Sequence, residues 1–183
     1  MDKKLGLTAI PNTLRSLQLN QTYPPTGPPG TASQITFNND ETKLLVSVKG
    51  APPASVGFIA MWDIAADHSL AAQPVMMPPP SGGGLPFSFT PVPGQNAFVM
   101  TDPAVGALVL DLSGANKSVA VPVSGQGANC WSTFSQKTGN YYLIDVGKNK
   151  VTELSVDKNL NASIVTVRVF FPQSTSVDSC SCL

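Results

Sequence analysis

Charge is scarce in this 183-residue chain: Asp, Glu, Lys and Arg together make up 12% of it, eleven basic residues against eleven acidic. No basic run is longer than Lys3-Lys4, so the electrostatic footprint of a nucleic-acid or anionic-membrane partner is missing. No stretch approaches the roughly 18 uninterrupted apolar residues of a bilayer span. The N-terminal Met1-Asp2-Lys3-Lys4-Leu5-Gly6-Leu7 is basic, but Asn12 and Arg15 interrupt it before the apolar core of a secretory leader develops. That pattern implies a cytosolic chain or one whose leader is lost. Histidine occurs once, at His68, and cysteine three times, at Cys130, Cys180 and Cys182. An odd cysteine count forbids full internal pairing and weakens a disulfide-framework reading.

What is abundant points to strands joined by turns. Hydrophobic residues make up 42% of the chain and proline occurs 17 times, a balance that suits short strands and tight connections. Three segments share one order of events. A short aromatic strand comes first: Ser33 to Phe37, Leu85 to Phe89, Asn129 to Phe134. A polar turn and a strongly apolar strand follow: Leu44 to Val48, Ala97 to Met100, Tyr141 to Ile144. A small-residue break leads to a third strand: Phe58 to Trp62, Ala107 to Leu110, Val151 to Leu154. A weaker alternating strand closes the unit, as in Ser118 to Val123 and Ser163 to Val167.

Phe37, Phe89 and Phe134 recur 52 and 45 residues apart, the length of one four-stranded propeller blade. A blade's second strand is covered on both faces and should read as a continuous apolar run; Leu44 to Val48 and Tyr141 to Ile144 do. The expected fold is all-β, a partial β-propeller of about three four-stranded antiparallel blades. Its parts are an extended lead-in at 1–30, blades at 31–84, 85–127 and 128–168, and a tail at 169–183. A β-sandwich or another closed β structure is the alternative, although it does not predict the same strand order three times.

Asn20-Gln21-Thr22, Asn116-Lys117-Ser118 and Asn161-Ala162-Ser163 are glycosylation sequons in expected loops. Cys130-Trp131 reads as a buried thiol beside a core tryptophan, since no histidine lies in the same repeat to activate it. Cys180-Ser181-Cys182 could pair or hold a soft metal, and two ligands make a weak site. The final four residues match a prenylation box in form only, without aliphatic neighbours or a polybasic lead.

The stretches Thr31 to Phe37, Val46 to Gly50 and Gly125 to Trp131 resemble the lactonase-type seven-bladed propellers, which include 6-phosphogluconolactonase and 3-carboxymuconate cyclase. Pro11-Asn12, Leu19 to Thr22 and Pro24 to Gly30 are similar to uncharacterised secreted fungal members. The likeness runs from about Leu7 to Val167. It implies seven blades where three are present, and an extracellular location, with cytoplasmic the alternative. It also implies His, Arg and Glu at the propeller mouth, for which His68, Arg15 and Arg168 are not counterparts; no catalytic residue carries over.

A lactonase or cycloisomerase needs an acid or base near its substrate and a cation for a carboxylate. Lys49, Asp102 and Asp145 stand at the ends of the apolar strands and are the axial candidates. Asp102 and Asp145 are 43 residues apart in matching positions, as turn caps require; paired carboxylates binding a cation or sugar are the functional alternative. The chain therefore reads as a binding or structural module without a demonstrable catalytic set, and a lactonase-like enzyme is the runner-up. No cofactor or metal is implied. A small molecule or carbohydrate is the expected ligand. Three blades cannot close a ring, so self-association to complete one, or a longer parent protein, is the expected context.

Overall fold

The computed structural model describes residues 6, 13–27 and 29–169. Twelve strands form three four-stranded antiparallel sheets, and among the described residues there is no helix. Blade 1 holds β1 (Ala32–Phe37), β2 (Lys43–Val48), β3 (Phe58–Asp63) and β4 (Val75–Met77). Blade 2 holds β5 (Phe89–Pro91), β6 (Ala97–Asp102), β7 (Gly106–Asp111) and β8 (Val119–Pro122). Blade 3 holds β9 (Asn129–Ser135), β10 (Asn140–Asp145), β11 (Lys150–Val156) and β12 (Ala162–Val169). Strands follow in sequence order within every sheet, which is the meander that the repeat predicts.

Blade 2 is covered on both sides. Leu45 and Ile59 of blade 1 pack with Phe98, Met100, Leu108 and Leu110. On its other face Val99, Val109 and Val121 pack with Tyr141, Leu143 and Leu154 of blade 3. β6 is accordingly buried along its whole length. β10 is not, and here the apolar run misleads. Tyr141 and Leu143 face blade 2 and are buried, whereas Ile144 is 44% exposed because no blade lies beyond it. The aromatic markers also need correcting. Phe37 pairs with Leu44 and Phe134 with Tyr141, while Phe89 pairs two residues further along, with Met100. Pro91, opposite Phe98, holds the equivalent place. Pro86 and Pro91 restrict β5 to three residues, since proline cannot donate to the ladder.

The blades dock through one repeated device. The inner strands of blades 1 and 3 carry a bulge, leaving Ser33 and Cys130 out of register. Phe87 sits at the matching point of blade 2, its N–H bonded to the Thr101 carbonyl. The buried Ser47 hydroxyl donates to the Phe87 carbonyl of the next blade at 2.6 Å, and the buried Thr101 hydroxyl donates to the Cys130 carbonyl at 2.7 Å. Gln34 adds a two-point bond, accepting from Phe89 N–H at 2.9 Å and donating to its carbonyl at 3.2 Å. At the opposite end Asn39 donates to Val92 O at 2.8 Å.

Replacing Thr101 by Val keeps its shape and strands the Cys130 carbonyl. Urea unfolding should show a loss of about 1–3 kcal/mol, the cost of a buried polar group left unpaired. Ser155→Ala, which removes an exposed hydroxyl pair with Ser163, should cost less than about 0.5 kcal/mol. Equal losses would show that the inter-blade hydroxyl has no special weight.

Candidate functional site

Antiparallel pairing brings the starts of the inner strands and the ends of the second strands to one end of the stack. Lys49, Asp102 and Asp145 all stand there. Asp102 is fully buried and accepts from the N–H groups of Gly84 at 2.9 Å, Leu85 at 3.0 Å and Ala104 at 2.8 Å. Burial raises its pKa against these bonds, which lower it. Asp145 accepts from Gly127 and Ala128, both at 2.8 Å, and from Gly147 at 3.0 Å. Each carboxylate thus pins the incoming segment of its own blade to its own second turn. Their oxygens are committed to backbone donors.

Lys49 stands one position past the point where blades 2 and 3 carry these aspartates. It is 8% exposed, and its ammonium lies 4.9 Å from the centre of the Phe87 ring. Desolvation lowers its pKa. Trp131 of blade 3 meets the same ring edge-on, with centroids 5.3 Å apart. Phe87 also clusters with Ala128 and Cys130, and between those two in sequence stands Asn129. Asn129 is wholly buried, and both side-chain polar atoms lack a hydrogen-bond partner. Phe87 and Asn129 escape sequence reasoning: one reads as strand core, and the other carries no motif beyond the Gly-Gln-Gly-Ala that precedes it.

The β2–β3 loop closes over this end. The Gly84 carbonyl accepts from Gly50 at 3.2 Å and Gly57 at 2.9 Å. A Cβ at Gly50 would come within 2.6 Å of that carbonyl and one at Gly57 within 2.3 Å of Val48 O, so only glycine permits the approach.

The remaining sequence candidates are dispersed. His68 is exposed in a turn at positive φ, and Arg15 is spent on the carbonyls of Leu70 and Ala71, both at 2.9 Å. Arg168 lies on outer strand β12 opposite Val151. Asn20, Asn116 and Asn161 are exposed, and Asn161 donates to Asp157 at 2.9 Å. Two readings around Cys130 are corrected. The residue is buried but disulfide-bonded, and Trp131 is 50% exposed because it faces the uncovered side of blade 3. Cys180 and Cys182 lie outside the described residues. No group of three metal-ligating side chains occurs among the described residues, nor does a helix long and apolar enough to cross a membrane. On the face of blade 1 turned away from blade 2, Val46, Ala60 and Trp62 are buried with Leu17 and Leu19 of the lead-in packed against them, and an open groove of about 700 Å³ lies there, lined by Leu17, Ile35, Leu44, Val46 and Trp62. The Trp62 Nε1 and Ser33 Oγ atoms are buried there without partners.

The sheets superpose on those of the periplasmic gluconolactonase PpgL of Pseudomonas aeruginosa, with a TM-score of 0.62 at 18% identity. The fold is that of a partial β-propeller, similar to the blades of that protein. The match covers 78% of this chain and 43% of PpgL, so this propeller chain spans less than half of that protein. A functionally unknown protein of Desulfotomaculum acetoxidans is similar over 75% of this chain and 56% of its own, with a TM-score of 0.51 at 13% identity. No family profile and no curated protein matches the sequence.

Lys49 gives the site a pH signature. Its folded pKa lies below the ordinary 10.5, so folding disfavours the charged form. Between the folded value and 10.5 the unfolded chain binds more protons, and stability rises with pH. Relative to Lys49→Met, wild type should gain stability as pH climbs through that window in denaturation at several pH values. A difference that stays flat would mean the ammonium is solvated.

Proposed function

We propose that this chain is a secreted propeller module that binds a small polyhydroxylated ring, a sugar lactone or its acid, at the Lys49 end without hydrolysing it. The observation that carries the reading is the buried Lys49 ammonium on Phe87, a ring that packs with Ala128 and Cys130 on either side in sequence of Asn129, whose buried amide has no partner in the fold. A desolvated cation favours a ring oxygen or carboxylate, and a buried amide that lacks partners is costly unless a ligand or water supplies them. Phe87 and Trp131 add aromatic walls of the kind that sugar rings pack against. Asp102 and Asp145 serve as the frame, since their oxygens already hold three backbone donors each.

A lactonase-like activity is the second reading, favoured by the likeness to a gluconolactonase fold. It lacks an unoccupied carboxylate or histidine at this end to serve as acid or base among the residues described. Secretion is supported by the disulfide at Cys130, and by exposed sequons at Asn20 and Asn116 as sites for glycans.

Calorimetry with gluconate and pH-stat assay with gluconolactone separate the readings. The expected result is binding without turnover, weakened about ten-fold or more by Lys49→Gln. Turnover above the spontaneous rate that Lys49→Gln abolishes would establish the enzyme reading instead. No binding of either compound would remove both.

A further inference from the structure

The face that each blade turns towards its predecessor has three matching positions. In blade 2 they hold Phe98, Met100 and Leu110, and in blade 3 Tyr141, Leu143 and Leu154. All six are fully buried, against Leu45 and Ile59 in one joint and Val99 and Val109 in the other. Blade 1 carries Leu44, Val46 and Trp62 there, and no blade precedes it among the described residues. Val46 and Trp62 are nevertheless only 7% and 2% exposed, because Leu17 and Leu19 of the lead-in pack against them. Arg15 ties the lead-in to the blade through the Leu70 and Ala71 carbonyls. The lead-in thus takes part of the space that a preceding blade fills in the other joints.

Two positions on this face break the repeat. Trp62 stands where the other blades have Leu110 and Leu154, and Ser33 stands at the bulge where they have Phe87 and Cys130. Each substitution adds a polar group, and the Trp62 indole N–H and the Ser33 hydroxyl are both buried without a partner. Such groups are costly unless something supplies the missing bond. A blade docked as in the other joints would set aliphatic side chains here and would have to displace Leu17 and Leu19. It answers neither donor.

Both residues line the groove between the lead-in and the sheet. Its volume of about 700 Å³ lies within the range of about 300–1,000 Å³ that small-molecule sites occupy. Ile35, Leu44 and Val46 give it apolar walls. Arg15 is the one charged residue lining it, and its Nε and Nη2 already donate to backbone carbonyls. An indole N–H can only donate and a hydroxyl can do so. The fitting occupant is therefore apolar in bulk, uncharged, and equipped with an acceptor oxygen. Residues 13–19 belong to no sheet, so this wall can part from blade 1 without breaking a strand ladder, and an entering molecule reaches the two donors beneath it.

We propose that the groove between the lead-in and blade 1 binds a neutral, apolar carbonyl compound, whose oxygen accepts from the Trp62 indole N–H or the Ser33 hydroxyl. The site uses none of the residues at the Lys49 end and stands or falls separately from it.

The neutral naphthyl ketone prodan, whose emission moves to shorter wavelength out of water, is a direct probe with the full chain. Titration should give a saturable shift. Trp62→Phe keeps an aromatic wall and removes the N–H, and should weaken binding about three- to ten-fold. Ile35→Lys changes a residue that is 62% exposed, so the fold tolerates it; a charge on the wall should weaken binding further. Lys49→Gln should leave the titration unchanged. Absence of a saturable shift would overturn the proposal, as would equal affinity in wild type, Trp62→Phe and Ile35→Lys. So would a dimer by light scattering that takes up prodan only when diluted to monomer, since a second copy would then be the occupant.

Discussion

A hydroxyl on a second strand, buried and donating to the bulge carbonyl of the next blade's inner strand, is the contact on which this architecture depends. Flat apolar faces would let neighbouring blades slide, because hydrophobic contact is not directional. The Ser47–Phe87 and Thr101–Cys130 bonds remove that freedom. They fix the height and angle at which Phe98 and Met100 meet Leu45, and at which Val99 meets Leu143. They also place Phe87 beneath Lys49 and bring Trp131 against it. The site is a by-product of the joints, built from residues of three blades that no single blade could assemble.

Much of this was legible in the sequence, for a physical reason. Local hairpins need turn residues and apolar strands at fixed order, so the four-strand units and the matching positions of Asp102 and Asp145 stand out. What lies between units does not announce itself. Ser47 and its acceptor Phe87 are forty residues apart, and a serine in an apolar strand carries no mark of its partner. Tyr141 to Ile144 reads as doubly covered because side chains alternate faces whether or not a neighbour exists. Trp131 reads as core for the same reason. Phe89 matches Phe37 and Phe134 in type but not in register, since Pro91 takes the equivalent place. Asn129 shows only as a polar residue at a strand start, and its orphaned amide is a property of the packed fold.

The two ends of the stack differ in chemistry, and that difference shapes what the chain can join. Blade 1 has an apolar groove beside which the Trp62 indole N–H and the Ser33 hydroxyl are buried without partners. Blade 3 ends in Trp131 and Ile144 beside an anchored cysteine. Lys49, Phe87, Ala128 and Cys130 belong to joints between these three blades, so the Lys49 end is assembled within the stack itself.

Native-state hydrogen exchange tests the central claim most directly. If nearest-neighbour docking holds the stack together, the amides of β6 and β7, in the blade flanked on both sides, should exchange most slowly. Those of β2 and β3, and of β10 and β11, should open at lower free energy. In Thr101→Val, protection should fall first in blade 3 while blade 1 keeps its own. Uniform protection across the three blades, lost everywhere at once in that variant, would contradict the account, because it would make the stack a single cooperative core in which the inter-blade hydroxyls have no separate role.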